Sequence, residues 1–433
     1  MCTFKRKLVA GAVVAAFAAS WVHADPAIDY RIGVQVEHDS NVNLSHDNPD
    51  DESILTTDLS FNVKEQGATL SANVAGSLAY RDYLGGAYGG ELRSLLSGVA
   101  VWAISPERFD WVAEDYLGRQ PVNVLASDVP SNQQQTNVFS TGPTLRARFS
   151  DNLRGRLDLR YSNTYADTTD TFNSDRVSAV ARLAWLLGPL DSVSTSLASA
   201  RVRYDEVASR PFDYDRNDLY FGYEHEANQL KLTTAVGYSA LDVRASGNRS
   251  GALLLADLHW SPAPTTRLGI NAMRQFSDAS QDLILDPAEI GNLGVGSGRN
   301  GAVIAPQIYI EKRIGLDFAH DWQRVRFDVA PFWRKLDYVD GDTLSQRSLG
   351  YTASLTWQLR ERLGLVASTG RERRRYTGFA RTDDDVRYGL ALAWQQARHW
   401  TWTLSVNHLA RDSSVDDAGY SDNTVALSLT YTR

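Results

Sequence analysis

The chain has a single cysteine, Cys2, and it lies in the first, leader-like stretch. Beyond that stretch there is no thiol, which excludes disulfides, thiolate metal sites and a cysteine nucleophile. No apolar run past residue 24 is long enough to cross a bilayer as a helix, so helical membrane proteins are excluded as well. Positive charge is in deficit: 44 Lys and Arg stand against 52 Asp and Glu, a formal net charge of −8. Phosphate backbones need a basic surface, so no nucleic-acid partner is expected. The histidines after the leader (His38, His46, His225, His259, His320, His399 and His408) show no metal-ligand spacing. Asp383-Asp384-Asp385 is a run of a kind usually solvated in a loop. No convincing nucleophile and base pair is present. The expectation is therefore no catalytic residue, no metal and no cofactor, in a protein that is not an enzyme.

One motif argues the other way and fails on context. Gly296-Ser297-Gly298-Arg299-Asn300-Gly301 has dinucleotide-binding spacing, but that fingerprint works only between a strand and a helix, and no helical period follows it. The surrounding segment, 279–303, is the longest connection in the chain. It mixes Leu283, Ile284, Leu285, Ile290, Leu293 and Val295 with glycines, and reads either as a constriction folded inward or as a surface loop packed on a rim.

What is present is a leader followed by strands. Lys5-Arg6-Lys7, an apolar run from Leu8 to Ala18, and Val22-His23-Ala24 ahead of Asp25-Pro26 make a secretory signal peptide over residues 1–24. Residues 25–433 are expected to form one domain. From Tyr351 every second residue is apolar (Tyr351, Ala353, Leu355, Trp357, Leu359), while Thr352, Ser354, Thr356 and Gln358 lie between. The same alternation returns at Tyr388, Leu390, Leu392 and Trp394, and at Trp400, Trp402, Leu404 and Val406. A period of two means strands with two unlike faces. Segments of about ten such residues with aromatic ends indicate a transmembrane β-barrel, in which only half of each strand meets lipid. That explains how a chain with 43% hydrophobic residues can live in a membrane. The reading is all-β: a single closed antiparallel transmembrane barrel of about 20 strands (18–20). It has no plug domain, because the first strand, 29–38, starts almost at the cleavage site.

Turn residues divide the connections into two kinds. Short turns fall near Gly67, Ser105-Pro106-Glu107, Asp151-Asn152, Gly188-Pro189, Ala227-Asn228, Pro262-Ala263-Pro264, Asp321-Trp322, Glu361 and Arg398. Longer polar loops are expected at 121–134, 167–174, 208–215, 244–249, 279–303, 339–343, 378–382 and 412–420. Pro143, Pro306 and Pro331 fall inside expected strands, where a missing ladder donor should produce bulges. Tryptophans gather beside the short turns: Trp102, Trp111, Trp185, Trp260, Trp357, Trp394, Trp400 and Trp402 form an aromatic girdle at the periplasmic rim, with Trp322 in a turn. Tyr80, Tyr116, Tyr165, Tyr204, Tyr238, Tyr338 and Tyr376 are expected to form the opposite girdle. The bacterial outer membrane is thus the expected location, with the long loops outside.

Arginines supply the functional signal. Arg154, Arg156 and Arg160 alternate with Leu153, Leu157 and Leu159, the hairpin partner adds Arg146 and Arg148, and the next strand adds Arg182. If the leucines meet lipid, these six form a basic wall in the lumen with Asp158 as its only acid, a field that would favour anions. The alternative is pairing with lumen acids such as Asp110, Glu114, Asp218 and Glu224. Arg267, Arg324, Arg326 and Arg387 are further inward candidates. Arg371, Arg373, Arg374 and Arg375 are expected above the membrane, facing lipopolysaccharide.

Two resemblances follow from the ends of the chain. Val425, Leu427, Leu429 and Tyr431 resemble the C-terminal signal read by the barrel-assembly machinery, although Thr432 and Arg433 follow the aromatic residue. Tyr30-Arg-Ile-Gly-Val-Gln-Val-Glu-His-Asp-Ser-Asn-Val-Asn-Leu-Ser45 resembles the start of outer-membrane β-barrels encoded in exopolysaccharide-biosynthesis operons. That resemblance implies a channel or accessory in exopolysaccharide export. Its partners would be outer-membrane lipid and lipopolysaccharide, an exported polysaccharide and its export machinery, and the assembly machinery. The alternative left open is a general diffusion porin with mild anion preference.

Overall fold

A computed structural model describes residues 26–283, 305–341 and 343–433. The described residues form twenty strands: β1 (Ala27–Asp39), β2 (Glu52–Gln66), β3 (Leu70–Tyr83), β4 (Glu91–Ser105), β5 (Phe109–Pro121), β6 (Gln133–Arg148), β7 (Leu153–Ala166), β8 (Ser174–Leu186), β9 (Asp191–Tyr204) and β10 (Tyr214–Glu226). The second half contributes β11 (Leu230–Val243), β12 (Gly247–Ala263), β13 (Thr266–Ser277), β14 (Tyr309–Asp321), β15 (Val325–Tyr338), β16 (Gln346–Arg360), β17 (Leu363–Tyr376), β18 (Thr382–Gln395), β19 (Trp400–Ser413) and β20 (Tyr420–Thr432). Each pairs antiparallel with its neighbours in sequence. β1 closes the ring on β20, from Arg31 opposite Thr432 to Asp39 opposite Thr424. Closure leaves no open edge, the condition for a sheet to lie in lipid.

The two faces fall as the alternation requires. On β16, Leu349, Tyr351, Leu355 and Trp357 are exposed on the outer wall; Ser348 and Gly350, between them, face in, and the Gly350 backbone lies against the inward ring of Phe332. Short turns of a few residues lie at one end of the barrel, and all the long connections at the other. Near the turn end Trp102 pairs across the ladder with Trp111, and Trp394 with Trp402. Trp185, Trp260, Trp322, Trp357 and Trp400 sit at the same height, exposed as a lipid-facing belt would be.

The opposite girdle differs from expectation. Tyr80 and Tyr238 are exposed on the outer wall, but Tyr116, Tyr204, Tyr338 and Tyr376 are buried and face the lumen. The reason is strand parity. Tyr116 lies an odd number of residues from the outward Trp111, so a side chain at the right height points to the wrong side for lipid. The inward tyrosines instead anchor connections that fold into the barrel mouth.

The prolines also behave differently. The β6–β7 ladder lapses at Gly142-Pro143 and the β14–β15 ladder at Pro331, yet neither shifts register. Pro306 precedes β14 and is not in a strand. No bulge forms at Pro143 because a side chain takes over: Arg160 donates to the carbonyls of Gly142 (3.3 Å) and Pro143 (2.8 Å). The same device recurs where β4 and β5 part above Leu96, as Gln135 Nε2 donates to Ser94 O (3.1 Å) and Gly118 O (2.7 Å). It appears again where β12 and β13 part above Leu254, as Arg274 donates to Ala252 O. A carbonyl without a donor in a membrane wall costs several kcal/mol, and at these three places a side-chain donor covers the lapse in pairing.

Candidate functional site

The lumen mouth is built by two connections that fold inward. The first, 122–132 between β5 and β6, is shaped by its own amides: Asn132 Nδ2 donates to Asn123 O (2.8 Å) and Ser127 O (2.9 Å), and Asn123 N donates to Asn132 Oδ1 (2.9 Å). Its side chains then reach other walls. Val124 packs against Tyr309, Leu336 and Tyr338, on β14 and β15 at the far side of the ring. Ser127 Oγ donates to Leu44 O in the β1–β2 connection (3.3 Å). A segment rooted between β5 and β6 that touches β14–β15 and the β1–β2 loop must cross the lumen.

Within it Asp128 accepts from Gln133 Nε2 and is enclosed by the barrel mouth. Burial raises its pKa against the pull of Arg93, Arg119, Arg411 and Arg387, guanidiniums contributed by two separate walls. Arg93 and Arg119 share one carboxylate, Glu91, at 2.7 and 3.0 Å. Arg411 bonds Asp385 (2.7 Å) and lies over the Tyr420 ring.

The second inward connection leaves β13. Asp278 is buried; Arg176 of β8 and the Tyr214 hydroxyl of β10 donate to it, and Ser280 Oγ caps it at 2.6 Å. Ala279 and Leu283 pack with Tyr116, Val138, Ala166 and Phe172 of the β5–β7 region. Burial pushes the Asp278 carboxyl up, but Arg176, Ser280 and Tyr214 outweigh it and hold it below the usual aspartate range. On the return Tyr204 Oη donates to Pro306 O (2.7 Å), and Ile308 joins Val202, Tyr204, Tyr214, Leu241, Val243 and Phe276. Most of the expected 279–303 constriction, with the Gly296–Gly301 motif, lies outside the described residues. Its roots, 277–283 and 305–308, point inward. The 122–132 crossing carried only a polar-loop signal in the sequence, since its contacts are with residues distant in the chain.

The six arginines expected to form a basic wall lie on the inner faces of β6, β7 and β8, and four acids pair with five of them. Arg146 pairs with Asp110, Arg148 with Asp151 (2.7 Å), Arg156 with Asp158 (2.7 Å), Arg160 with Asp158 (3.4 Å) and Arg182 with Glu224 (2.8 Å). Of the six, only Arg154 makes no ion pair among the described residues. Asp158 is thus not the only acid, and the correction has a geometric cause: acids on the adjoining β5, on β10 across β9, and in the turn reach the same wall. Of the further inward candidates, Arg267 pairs with Asp321 (3.0 Å) and Arg326 with Asp328 (2.7 Å). The aspartate run is not a solvated loop either. Asp383 and Asp385 are buried on the inner face of β18, paired with Arg381 (2.9 Å) and Arg411, while Asp384 points out to Arg371 (2.8 Å). Arg374 likewise faces the lumen, on Glu372 (3.1 Å), rather than lipopolysaccharide. Below the mouth, a recess of about 650 Å³ opens against β13–β18, with Arg267, Asp317, Asp328, Thr352, Ser368 and Arg387 in its lining.

With this geometry in hand, comparison with known proteins is informative. Residues 345–433, from the start of β16 to the end of β20, match the family described as "Putative beta-barrel porin 2". The chain is a β-barrel of the bacterial outer membrane, and the part from β16 to β20 is porin-like. No curated protein sequence matches it. Among solved structures it is similar to a mutant ferric enterobactin receptor of Pseudomonas aeruginosa in complex with enterobactin (11% identity, 95% of this chain and 82% of that one, TM-score 0.51). It is also similar to the FrpB iron transporter of Neisseria meningitidis (9% identity, 95% and 82%, TM-score 0.50). At such identity the likeness concerns the fold alone. It corrects the expectation of no plug domain, because the solved barrels that this fold resembles belong to receptors that have one. Here the described chain obstructs the mouth through the 122–132 and 277–283 segments, which sequence periodicity does not reveal.

Proposed function

We propose that this protein is a water-filled, constricted channel that passes small hydrophilic solutes across the outer membrane, by passage rather than catalysis. One observation carries the reading: 122–132 reaches across a twenty-stranded barrel and is anchored on the opposite wall. A ring of that size is too wide for its own side chains to fill, so what crosses the lumen sets the aperture. Polar and charged residues line the wall above and below the crossing, as an aqueous path requires. Liposome swelling tests this. Reconstituted protein should admit monosaccharides and retard longer oligosaccharides, and removal of residues 123–131 should admit the longer ones. Liposomes impermeable to every sugar, with or without those residues, would refute the channel.

The finer reading, a conduit or accessory for exopolysaccharide, is supported by the Tyr30–Ser45 resemblance and by a lumen of sugar-compatible polarity. Its partners would be the exported glycan with its export machinery, and lipopolysaccharide around the wall. Deleting the gene and measuring surface polysaccharide tests it. Unchanged secretion would leave the diffusion channel as the better reading.

A further inference from the structure

The lumen repeats one small device. On β7, Arg156 and Asp158 are two residues apart on the inner face and bond side by side (2.7 and 3.0 Å). On β10, Arg216 embraces Asp218 through Nε and Nη2 at 2.7–3.0 Å, and on β15 Arg326 holds Asp328 in the same way at 2.7–3.1 Å. β4 and β17 carry further pairs of this i, i+2 kind, and Arg381, just ahead of β18, pairs with Asp383 on it. Side chains two apart on a strand share a face, so each pair is fixed by the backbone and independent of any loop, and on β7 Asp158 also meets Arg160 (3.4 Å). The β7 and β15 pairs lie toward the turn end, on well-separated walls; those on β4, β10, β17 and β18 lie toward the mouth.

A bidentate guanidinium–carboxylate pair has little net field a few ångströms away, yet it keeps outward-facing N–H donors beside carboxylate lone pairs. Such a surface gives a free ion little to choose by sign. To a chain of hydroxyl groups, each both donor and acceptor, the accessible pairs on β7 and β15 offer matched partners on separate walls.

We infer that the lumen is built for a net-neutral, hydroxyl-rich solute, a neutral saccharide, rather than for an ion of either sign. The inference rests on the channel reading and names its substrate class. The pairs on β7 and β15 are its polar track, and the four acids that pair with five of the six wall arginines reduce the anion preference that six unpaired arginines would have produced.

Planar-bilayer recording of the full barrel separates the two levels. Potassium chloride conductance tests the channel. The permeability ratio of potassium to chloride should then lie within about twofold of unity. Maltohexaose should block the current at lower concentration than an oligogalacturonate of equal length. Arg326→Gln alone leaves Asp328 uncompensated and should shift selectivity toward potassium. Arg326→Gln with Asp328→Asn should restore near-unity selectivity and still weaken the maltohexaose block several-fold. Conductance with strong selectivity in the wild type, or block favouring the acidic oligosaccharide, would overturn the inference while leaving the channel intact. A barrel with no conductance would overturn both.

Discussion

Asp278→Asn is the sharpest test of how the inward segment after β13 is held. The carboxylate is 3% exposed and accepts from Arg176, Tyr214, Ser280 Oγ (2.6 Å) and Ser280 N (3.1 Å). Asparagine keeps the size but removes the charge, leaving the Arg176 guanidinium enclosed without its counterion. Breaking one side of such a pair costs about 3–5 kcal/mol. Because the pair joins the segment to the β8 and β10 walls, the loss should appear as local release of 277–283 and not as unfolding of the barrel. Each 1.4 kcal/mol is about tenfold in an opening equilibrium, so amide exchange at Ser280 and Gln281 should accelerate by about a hundredfold or more. Replacing both partners, Arg176→Met with Asp278→Leu, should recover most of that protection, since no lone charge remains. The pH dependence has a defined sign. A carboxyl held below its ordinary value stabilises the attachment above that value, 3.8, and the contribution is lost only as pH falls further. Exchange in the wild type should therefore be protected at pH 5 as at pH 7. An Asp278→Asn variant exchanging at the wild-type rate would show that the segment is held by its apolar contacts alone.

Other predictions address the wall. Arg160→Ser strips donors from the carbonyls of Gly142 and Pro143, and should destabilise the barrel by about 1–3 kcal/mol in denaturant titration of folding into vesicles. A change below about 0.5 kcal/mol would mean that water covers the lapse. Leu355→Arg, on the outer face, should cost about 2–4 kcal/mol in the same assay, whereas Thr352→Arg, on the inner face, should cost little. Equal costs would contradict the assignment of faces. Gln135→Leu should raise amide exchange along the upper β4–β5 seam and leave the lower part of that seam, at Trp102 and Trp111, protected.

The wall was legible from the sequence because lipid imposes a period of two. Tyr351, Leu355 and Trp357 announce their face without reference to any other strand, and Ser105-Pro106-Glu107 or Asp151-Asn152 announce the turns. The mouth was not legible in the same way. Whether Tyr116 or Tyr338 faces lipid depends on counting parity through a strand whose ends blur into loops, and an error of one residue reverses the side. The pairing of the basic wall depends on register between strands. Arg182 meets Glu224 across β9, a relation that no local pattern states, although Arg156-x-Asp158 and Arg326-x-Asp328 were visible as spacing. The crossing at 122–132 is less accessible still, since Val124 and Ser127 find their partners at Tyr309, Leu336, Tyr338 and Leu44. Nothing in a polar loop's composition says that it folds inward.

The crossing itself can be measured with one residue. The sequence has no cysteine beyond Cys2, so Ser127→Cys introduces a thiol at a defined point of the constriction. In a planar bilayer, a charged methanethiosulfonate reagent added to an open Ser127→Cys channel should reduce its conductance in a discrete step, reversible by a reductant, and should leave the wild type unchanged. Complete labelling of that cysteine, verified by mass, with no change in conductance would place 122–132 outside the conducting path and contradict the constricted channel.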